Sequence, residues 1–274
     1  MSNRKRLSKQ ARKRETALRP GECLFCGKTG ELTEQHVFGK WLRNLGLKGR
    51  SMWEVSQGDG DAQRPPLPPG SLFSKTLRIV CGPCNTGWMS RLENAAKPYL
   101  MDMFRGRGNI PLDEDAQLVL ARWAFMTIAV VSQVEHRPTF PLAHCHELYN
   151  SERPPGQSQI WIGSASVNVS EPWEQIAEFH HERKTVDAPI GEGTIPFPIY
   201  TSQLRLLNVV FEVQGSWPNE FGRLERVDSS ANLRRALLPI WPAKFPTIWW
   251  PPVTSLDSIG GVRGLAATRL IGKR

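Results

Sequence analysis

The chain has 274 residues, of which 40% are hydrophobic and 22% are charged, a composition typical of a soluble globular protein with one large domain or two modest ones. The first twenty residues are basic, and the longest apolar run, residues 118–131, is short and contains Arg122, so neither a secretory signal nor a membrane helix is expected. We therefore expect a cytoplasmic protein whose cysteines stay reduced.

The basic charge is concentrated at the N-terminus. The net charge is +9, and residues 1–20 carry eight basic residues against one acid, Glu15. This pattern predicts a disordered tail over residues 1–20 that contacts a polyanion such as nucleic acid. An ordinary solubility tail is the alternative interpretation.

Two Cys-x-x-Cys pairs follow, Cys23 with Cys26 and Cys81 with Cys84. Two thiolates separated by two residues can bind one metal ion at tetrahedral angles while the chain turns tightly. Because four thiolates close the coordination sphere, the pattern predicts a structural zinc ion. Two unrelated pairs, or a redox pair, are the alternatives, although a redox motif needs only one pair. The proline-rich stretch between the pairs, residues 49–70, is predicted to be a surface loop.

Hydrophobic periodicity predicts the elements that follow. A strand is expected at residues 75–80, and a helix is expected from about residue 85 to residue 104, before Gly106-Arg107-Gly108. A second helix, residues 112–134, begins with three acids that favour a helix N-terminus. Beyond residue 137, segments 159–163, 166–170 and 204–213 resemble strands, and residues 171–182 fit a further helix.

The residues around the cysteines resemble the HNH endonuclease family in its four-cysteine branch. The matching elements are the first cysteine pair, Gln35-His36-Val37 about ten residues on, and the second pair with Asn85 directly after it. The string Cys-Asn-x-Gly-Trp-Met-x-x-Leu-Glu at residues 84–93 is similar to a subgroup of uncharacterised bacterial and phage HNH proteins. A weaker likeness runs through residues 121–123 and 250–252.

The resemblance implies an α+β protein. Its N-terminal zinc-stapled ββα-metal (HNH) module would span residues 21–108. An α+β C-terminal domain with a long core helix and no assigned role would span residues 109–274.

The resemblance also implies the roles of the site residues. His36 would be the general base, and Asn85 would be a ligand or positioning group for a catalytic Mg²⁺ or Mn²⁺ ion. Gln35 departs from the family, which usually has an acid at this position, and it brings no charge. Glu93 could restore that charge, since helical geometry places Glu93 about 80° from Asn85 but Asn94 about 180° away.

Each of these residues has a structural alternative. His36 could be a buried histidine bonded to the backbone, Asn85 a helix cap, and Glu93 a solvated helix residue. Trp88 is predicted to lie in the core. The run His144-Cys145-His146 is interpreted as incidental, because sequence neighbours rarely all face one ion.

The leading functional hypothesis is a metal-dependent endonuclease that acts on DNA, with RNA as a lesser possibility, and that nicks one strand as a monomer or cuts both as a dimer. A zinc-stabilised nucleic-acid-binding protein whose site decayed at Gln35 is the second hypothesis. A protein-interaction module with purely structural zinc is the third.

Overall fold

The computed structural model describes residues 17–43, 52–53, 75–134, 140–166, 177–190, 193–217, 224–226, 235–256 and 268–270. The predicted basic tail up to residue 16 therefore lies outside the described residues. So do most of the proline-rich loop and residues 167–170 of the strand predicted at 166–170.

A two-stranded hairpin forms the N-terminal part of the fold. Strand β1 (Leu32–His36) is followed by a short helix α1 (Lys40–Arg43), by β2 (Met52–Trp53) and by β3 (Thr76–Cys81). Strands β1 and β3 pair antiparallel, so that Leu32 lies opposite Cys81 and His36 opposite Thr76. The strand predicted at residues 75–80 is thereby confirmed, one residue later along the chain.

The helix after the second cysteine pair is broken into two parts. A π-helical segment, Pro83–Met89, precedes α2 (Ser90–Phe104), and Gly87 between them leaves helical geometry with φ −92° and ψ −109°. The predicted end at residue 104 is confirmed, but the regular helix begins five residues later than the predicted start near Asn85. The kink at Gly87 accounts for this difference.

A short strand precedes the long core helix. Strand β4 (Ile110–Asp113) leads into α3 (Glu114–Ser132), where the Asp113 carboxylate accepts a hydrogen bond from the Ala116 amide at 2.8 Å. The helix predicted from about residue 112 is confirmed, but it begins two residues later, because Leu112 is extended and Asp113 is the N-cap.

Helix α3 is long and apolar enough, by length and composition, to cross a membrane. However, 78% of its most apolar 18-residue window is buried inside the protein. It therefore forms the centre of the hydrophobic core, as the sequence predicts for residues 118–131.

The remaining elements are one helix and eight strands in the described chain: α4 (Leu142–Ser151), β5 (Ser158–Ser164), β6 (Ala177–Ile190), β7 (Gly193–Leu206), β8 (Val209–Ser216), β9 (Leu224–Arg226), β10 (Leu237–Trp241), β11 (Thr247–Trp250) and β12 (Thr268–Leu270). Six strands form one sheet in the order β10-β5-β8-β7-β6-β2. Its pairs are antiparallel except β2 with β6. Two further pairs, β4 with β11 and β9 with β12, lie outside this sheet.

Three sequence predictions for this region can be compared with these strands. The strand predicted at residues 159–163 is confirmed as β5. The helix predicted at 171–182 is wrong over residues 177–182, which pair with β7 as part of β6; residues 171–176 lie outside the described chain. The strand predicted at 204–213 is two strands, because the chain turns at Leu207, whose φ is 53°.

The fold is α+β, and one buried apolar cluster contains side chains from both predicted domains. Leu24, Phe25 and Val80 of the cysteine region belong to the same cluster as α3 and the large sheet. Trp123 of α3 packs on Phe211 of β8 with ring centroids 5.6 Å apart. The cysteine region is therefore supported by the core of the whole protein.

Candidate functional site

The four cysteines predicted to share a metal ion come together. The sulfur atoms of Cys23, Cys26, Cys81 and Cys84 all lie within 4.8 Å of one another, and Cys26 Sγ is 3.7 Å from Cys81 Sγ. Zinc–sulfur bonds of about 2.3 Å at tetrahedral angles require sulfur–sulfur separations of about 3.8 Å. The cluster therefore fits a four-coordinate ion of the zinc type, with no position left open for a substrate.

Backbone hydrogen bonds hold the first cysteine pair in a tight turn against β3. The Gly27 amide donates to Cys23 O at 3.0 Å, and Gly27 itself has a φ of 67°, which favours glycine. The Leu24 amide donates to Ile79 O at 2.8 Å and so attaches this turn to the strand that carries Cys81.

Hydrogen bonding also prepares one sulfur for metal binding. The thiol of Cys84 and the amides of Cys26, Cys81 and Phe25 donate to Cys23 Sγ, and these bonds lower the pKa of the Cys23 thiol. Thiolate is the form that binds metal.

The fifth cysteine, Cys145, lies fully buried in the core, where burial raises its pKa to about 12.

A cleft of about 510 Å³ lies beside the cysteine region. All four candidate catalytic residues line it, although they come from three separate parts of the sequence. The lining consists of Glu34, Gln35, His36, Gly39, Lys40, Trp41, Asn85, Thr86, Met89, Ser90 and Glu93.

His36 and Gln35 enter the cleft from the end of β1. His36 is half-buried, and Gln35 is 7% exposed. The Gln35 side-chain amide donates to the carbonyl oxygen of His36 at 2.8 Å. Gln35 thus fixes the backbone at His36 through its nitrogen and places no charge in the cleft.

Glu34 also lines the cleft, whereas alternation along the strand predicts that it points away from Gln35. The β1–β3 register shifts between Thr33 and Glu34, so simple alternation does not hold there. The exposed Glu34 carboxylate lies 3.8 Å from the Arg78 guanidinium.

Asn85 joins the hairpin to the helical segment. Its Nδ2 donates to Thr33 Oγ1 at 3.0 Å and to the Glu34 carbonyl at 3.2 Å. The amide therefore bonds to the neighbouring strand and does not act through the helix-cap contact that is the structural alternative for Asn at this position.

Glu93 brings a partly desolvated carboxylate to the cleft. The side chain is half-buried, and burial raises the pKa of the Glu93 carboxyl to about 6. The adjacent Asn94 is exposed and does not line the cleft. Glu93 therefore lines the cleft and Asn94 does not, although the kink at Gly87 interrupts the helix between Asn85 and Glu93.

The sequence does not predict the other residues that line the cleft. Gly39, Lys40 and Trp41 line the cleft together with Thr86 and Ser90. A Cβ on Gly39 would lie 2.6 Å from Trp41 Nε1 and 2.8 Å from Glu93 Oε2. Glycine is required here for space, because the indole of Trp41, two positions along the chain, and the carboxylate of Glu93, 54 positions away, both lie where a side chain would be.

Other residues singled out by the sequence are structural. Trp88 packs between Phe25 at 5.0 Å and Tyr149 at 6.0 Å, as predicted for a core residue. His144 Nδ1 bonds to Tyr200 Oη at 2.8 Å, whereas the His146 ring lies against Gly27. His144, Cys145 and His146 thus have separate surroundings, in line with their interpretation as an incidental run.

No family model, no curated protein and no solved structure matches the chain. The cysteine cluster and the cleft are therefore the observations that bear on function.

Proposed function

We propose that this chain is a metal-dependent endonuclease of the HNH type that hydrolyses phosphodiester bonds in DNA and nicks one strand as a monomer. The observation that carries the proposal is that His36, Asn85, Gln35 and Glu93 line one cleft next to a four-cysteine cluster. The cleft therefore brings together an imidazole, two side-chain amides and a carboxylate, which can supply a general base and the ligands of a cation.

His36 is the proposed general base. Phosphodiester hydrolysis needs a water molecule that loses its proton as it attacks phosphorus. An imidazole near neutral pH can accept that proton, and the cleft leaves room around the half-buried His36 ring for water and for a phosphate group.

Glu93, Asn85 and Gln35 are the proposed group for the catalytic cation, Mg²⁺ or Mn²⁺. Hard cations bind carboxylate and amide oxygens and keep some positions for water and phosphate. Glu93 supplies the negative charge that Gln35 lacks, and its raised pKa fits a carboxylate held partly out of water in the absence of a bound cation.

Basic side chains near the cleft support a polyanionic substrate. Lys40 lines the cleft and is exposed, and Arg91 is exposed directly after the cleft residue Ser90. Contacts of this kind hold phosphates without reading base sequence. By contrast, Arg19 and Arg107 are already paired, with Glu22 and Asp102 respectively, each at 3.0 Å.

The test is the conversion of supercoiled plasmid to nicked circles with Mg²⁺ or Mn²⁺ added. We expect His36→Ala to lower the rate by at least about a hundred-fold, the scale of a lost general base. His146→Ala removes another half-buried imidazole outside the cleft and should retain the rate. Equal rates in the wild type and His36→Ala would contradict the assignment of His36.

Gln35 supports a second candidate, a zinc-stabilised protein that binds nucleic acid without cutting it. The Gln35 amide is buried and bonded to backbone, as expected where a metal-binding acid has been replaced by a structural residue. This candidate predicts salt-sensitive binding without cleavage. If the wild type does not cut and Gln35→Glu gains cleavage, the nuclease site of the wild type is decayed. If the wild type cuts and Gln35→Glu does not cut faster, Glu93 supplies the negative charge that Gln35 lacks.

A further inference from the structure

One corner of the cleft is unusually crowded. Trp41 Nε1 and Glu93 Oε2 each lie within 2.8 Å of the point that a Cβ of Gly39 would occupy. An indole N–H donor and a carboxylate oxygen therefore lie at the same small volume beside Gly39.

The indole N–H of Trp41 is buried, and no residue in the described parts of the chain accepts a hydrogen bond from it. The Trp41 ring is held in place by two neighbours. It stacks on Phe104 at a centroid distance of 6.3 Å and an angle of 26°, and Lys97 Nζ lies 6.0 Å from the ring centroid. An unpaired buried donor destabilises the folded protein, so a hydrogen bond from this N–H to the neighbouring carboxylate would be favourable.

Glu93 has the complementary need. The Glu93 side chain is half-buried, and its Oε2 lies at the same corner of the cleft as the indole N–H of Trp41. A half-buried carboxylate is stabilised by a hydrogen bond from a nearby N–H donor.

Building on the proposed nuclease function, we propose that Trp41 is a positioning residue of the cleft. Its indole N–H donates a hydrogen bond to one oxygen of the ionised Glu93 carboxylate and thereby turns the other oxygen towards the cation and Asn85. Gly39 leaves the space in which this bond forms. The role matches the outer partners of metal-binding carboxylates in general, whose loss weakens metal affinity about 10–100-fold.

The experiment follows the indole Hε1 resonance of Trp41 by NMR in the full-length, zinc-loaded protein. Its peak is assigned as the one missing from Trp41→Phe. Addition of Mg²⁺ is expected to move this resonance downfield in the wild type, and the shift should be absent in Glu93→Gln. Mg²⁺ affinity, measured by calorimetry, should fall about ten-fold in Trp41→Phe.

Trp250→Phe is the matched control, because it removes another buried indole N–H that has no partner in the described chain and lies outside the cleft. It should leave Mg²⁺ affinity unchanged. Mg²⁺ binding and DNA nicking without any Trp41 shift would overturn the role of Trp41 and leave the nuclease proposal intact. Absence of both Mg²⁺ binding and nicking would overturn both proposals.

Discussion

Glu93 occupies a position that costs the folded protein stability. Its carboxylate lies partly out of water beside Gly39 and Trp41, and burial raises its pKa to about 6. Residues required for function are often retained although they lower the stability of the folded protein. The neighbouring Asn94 is solvated on the same helix, so the cost is specific to the side chain that faces the cleft.

This cost predicts a pH-dependent effect of Glu93→Gln. The folded pKa exceeds the ordinary value of 4.5, so folding takes up a proton and stability falls as pH rises between about 4.5 and 6. Without added Mg²⁺, Glu93→Gln should be more stable than the wild type by about 1 kcal/mol at pH 8, and this advantage should disappear at pH 4. Thermal unfolding at both pH values checks it.

Glu31→Gln, at an exposed position, is the control and should show no such pH-dependent gain. A Glu93→Gln variant that is equally or less stable than the wild type at pH 8 would show that the carboxylate is not strained by burial.

At the scale of elements, the cleft depends on how β1 is attached to the π-helical segment. The hairpin carries Gln35 and His36, and the helical part carries Asn85 and Glu93. The two hydrogen bonds from Asn85 to Thr33 and Glu34 link these elements directly. The irregular register at Glu34 lies at the same point, so the side chain of Asn85 bridges to β1 where the strand pairing is irregular.

Asn85→Ala should therefore destabilise the protein by about 1–2 kcal/mol, the net value of two hydrogen bonds, of which one is partly buried and one is exposed. It should also increase amide exchange in β1. Thr86→Ala, which removes an exposed hydrogen bond from Thr86 Oγ1 to Gly82 O, should cost less than about 0.5 kcal/mol. Denaturant unfolding compares the two variants, and equal losses would contradict a special linking role for Asn85.

At the scale of the whole molecule, the cysteine cluster and the core are continuous. The first cysteine turn lies against α4, where the His146 ring contacts Gly27 and Tyr149 packs near Trp88. Strand β2, from the segment between the cysteine pairs, joins the large sheet beside β6. Loss of the cluster should therefore affect more than its own residues.

We expect one zinc ion per chain, detectable by native mass spectrometry. Cys81→Ala should lose this ion and lower the melting temperature by more than 10 °C, since a structural site can contribute on the order of 10 kcal/mol to folding. Cys145→Ala changes a buried cysteine outside the cluster and should retain the zinc. Full structure after verified removal of all metal would contradict a structural role.

The sequence by itself determined the features that depend on local spacing. Two Cys-x-x-Cys pairs predict a shared tetrahedral site because each pair alone sets two thiolates at a metal-binding distance. The apolar run at residues 118–131 predicts a core helix because a helix that is apolar on all sides must be buried. The preference for Glu93 over Asn94 is predicted from the geometry of one regular helix, whereas the chain is kinked at Gly87 between Asn85 and Glu93.

Only the tertiary structure decided the features that depend on distant partners. Leu112 is extended because it pairs with Ile248 of β11, and residues 177–182 form a strand because β7 lies beside them. Gly39, Trp41 and Glu93 share one corner because the hairpin and α2 are brought together by the cysteine cluster and the core. Strand pairing and close packing bring together residues that are far apart along the chain. A local sequence pattern does not specify which distant residues will become partners.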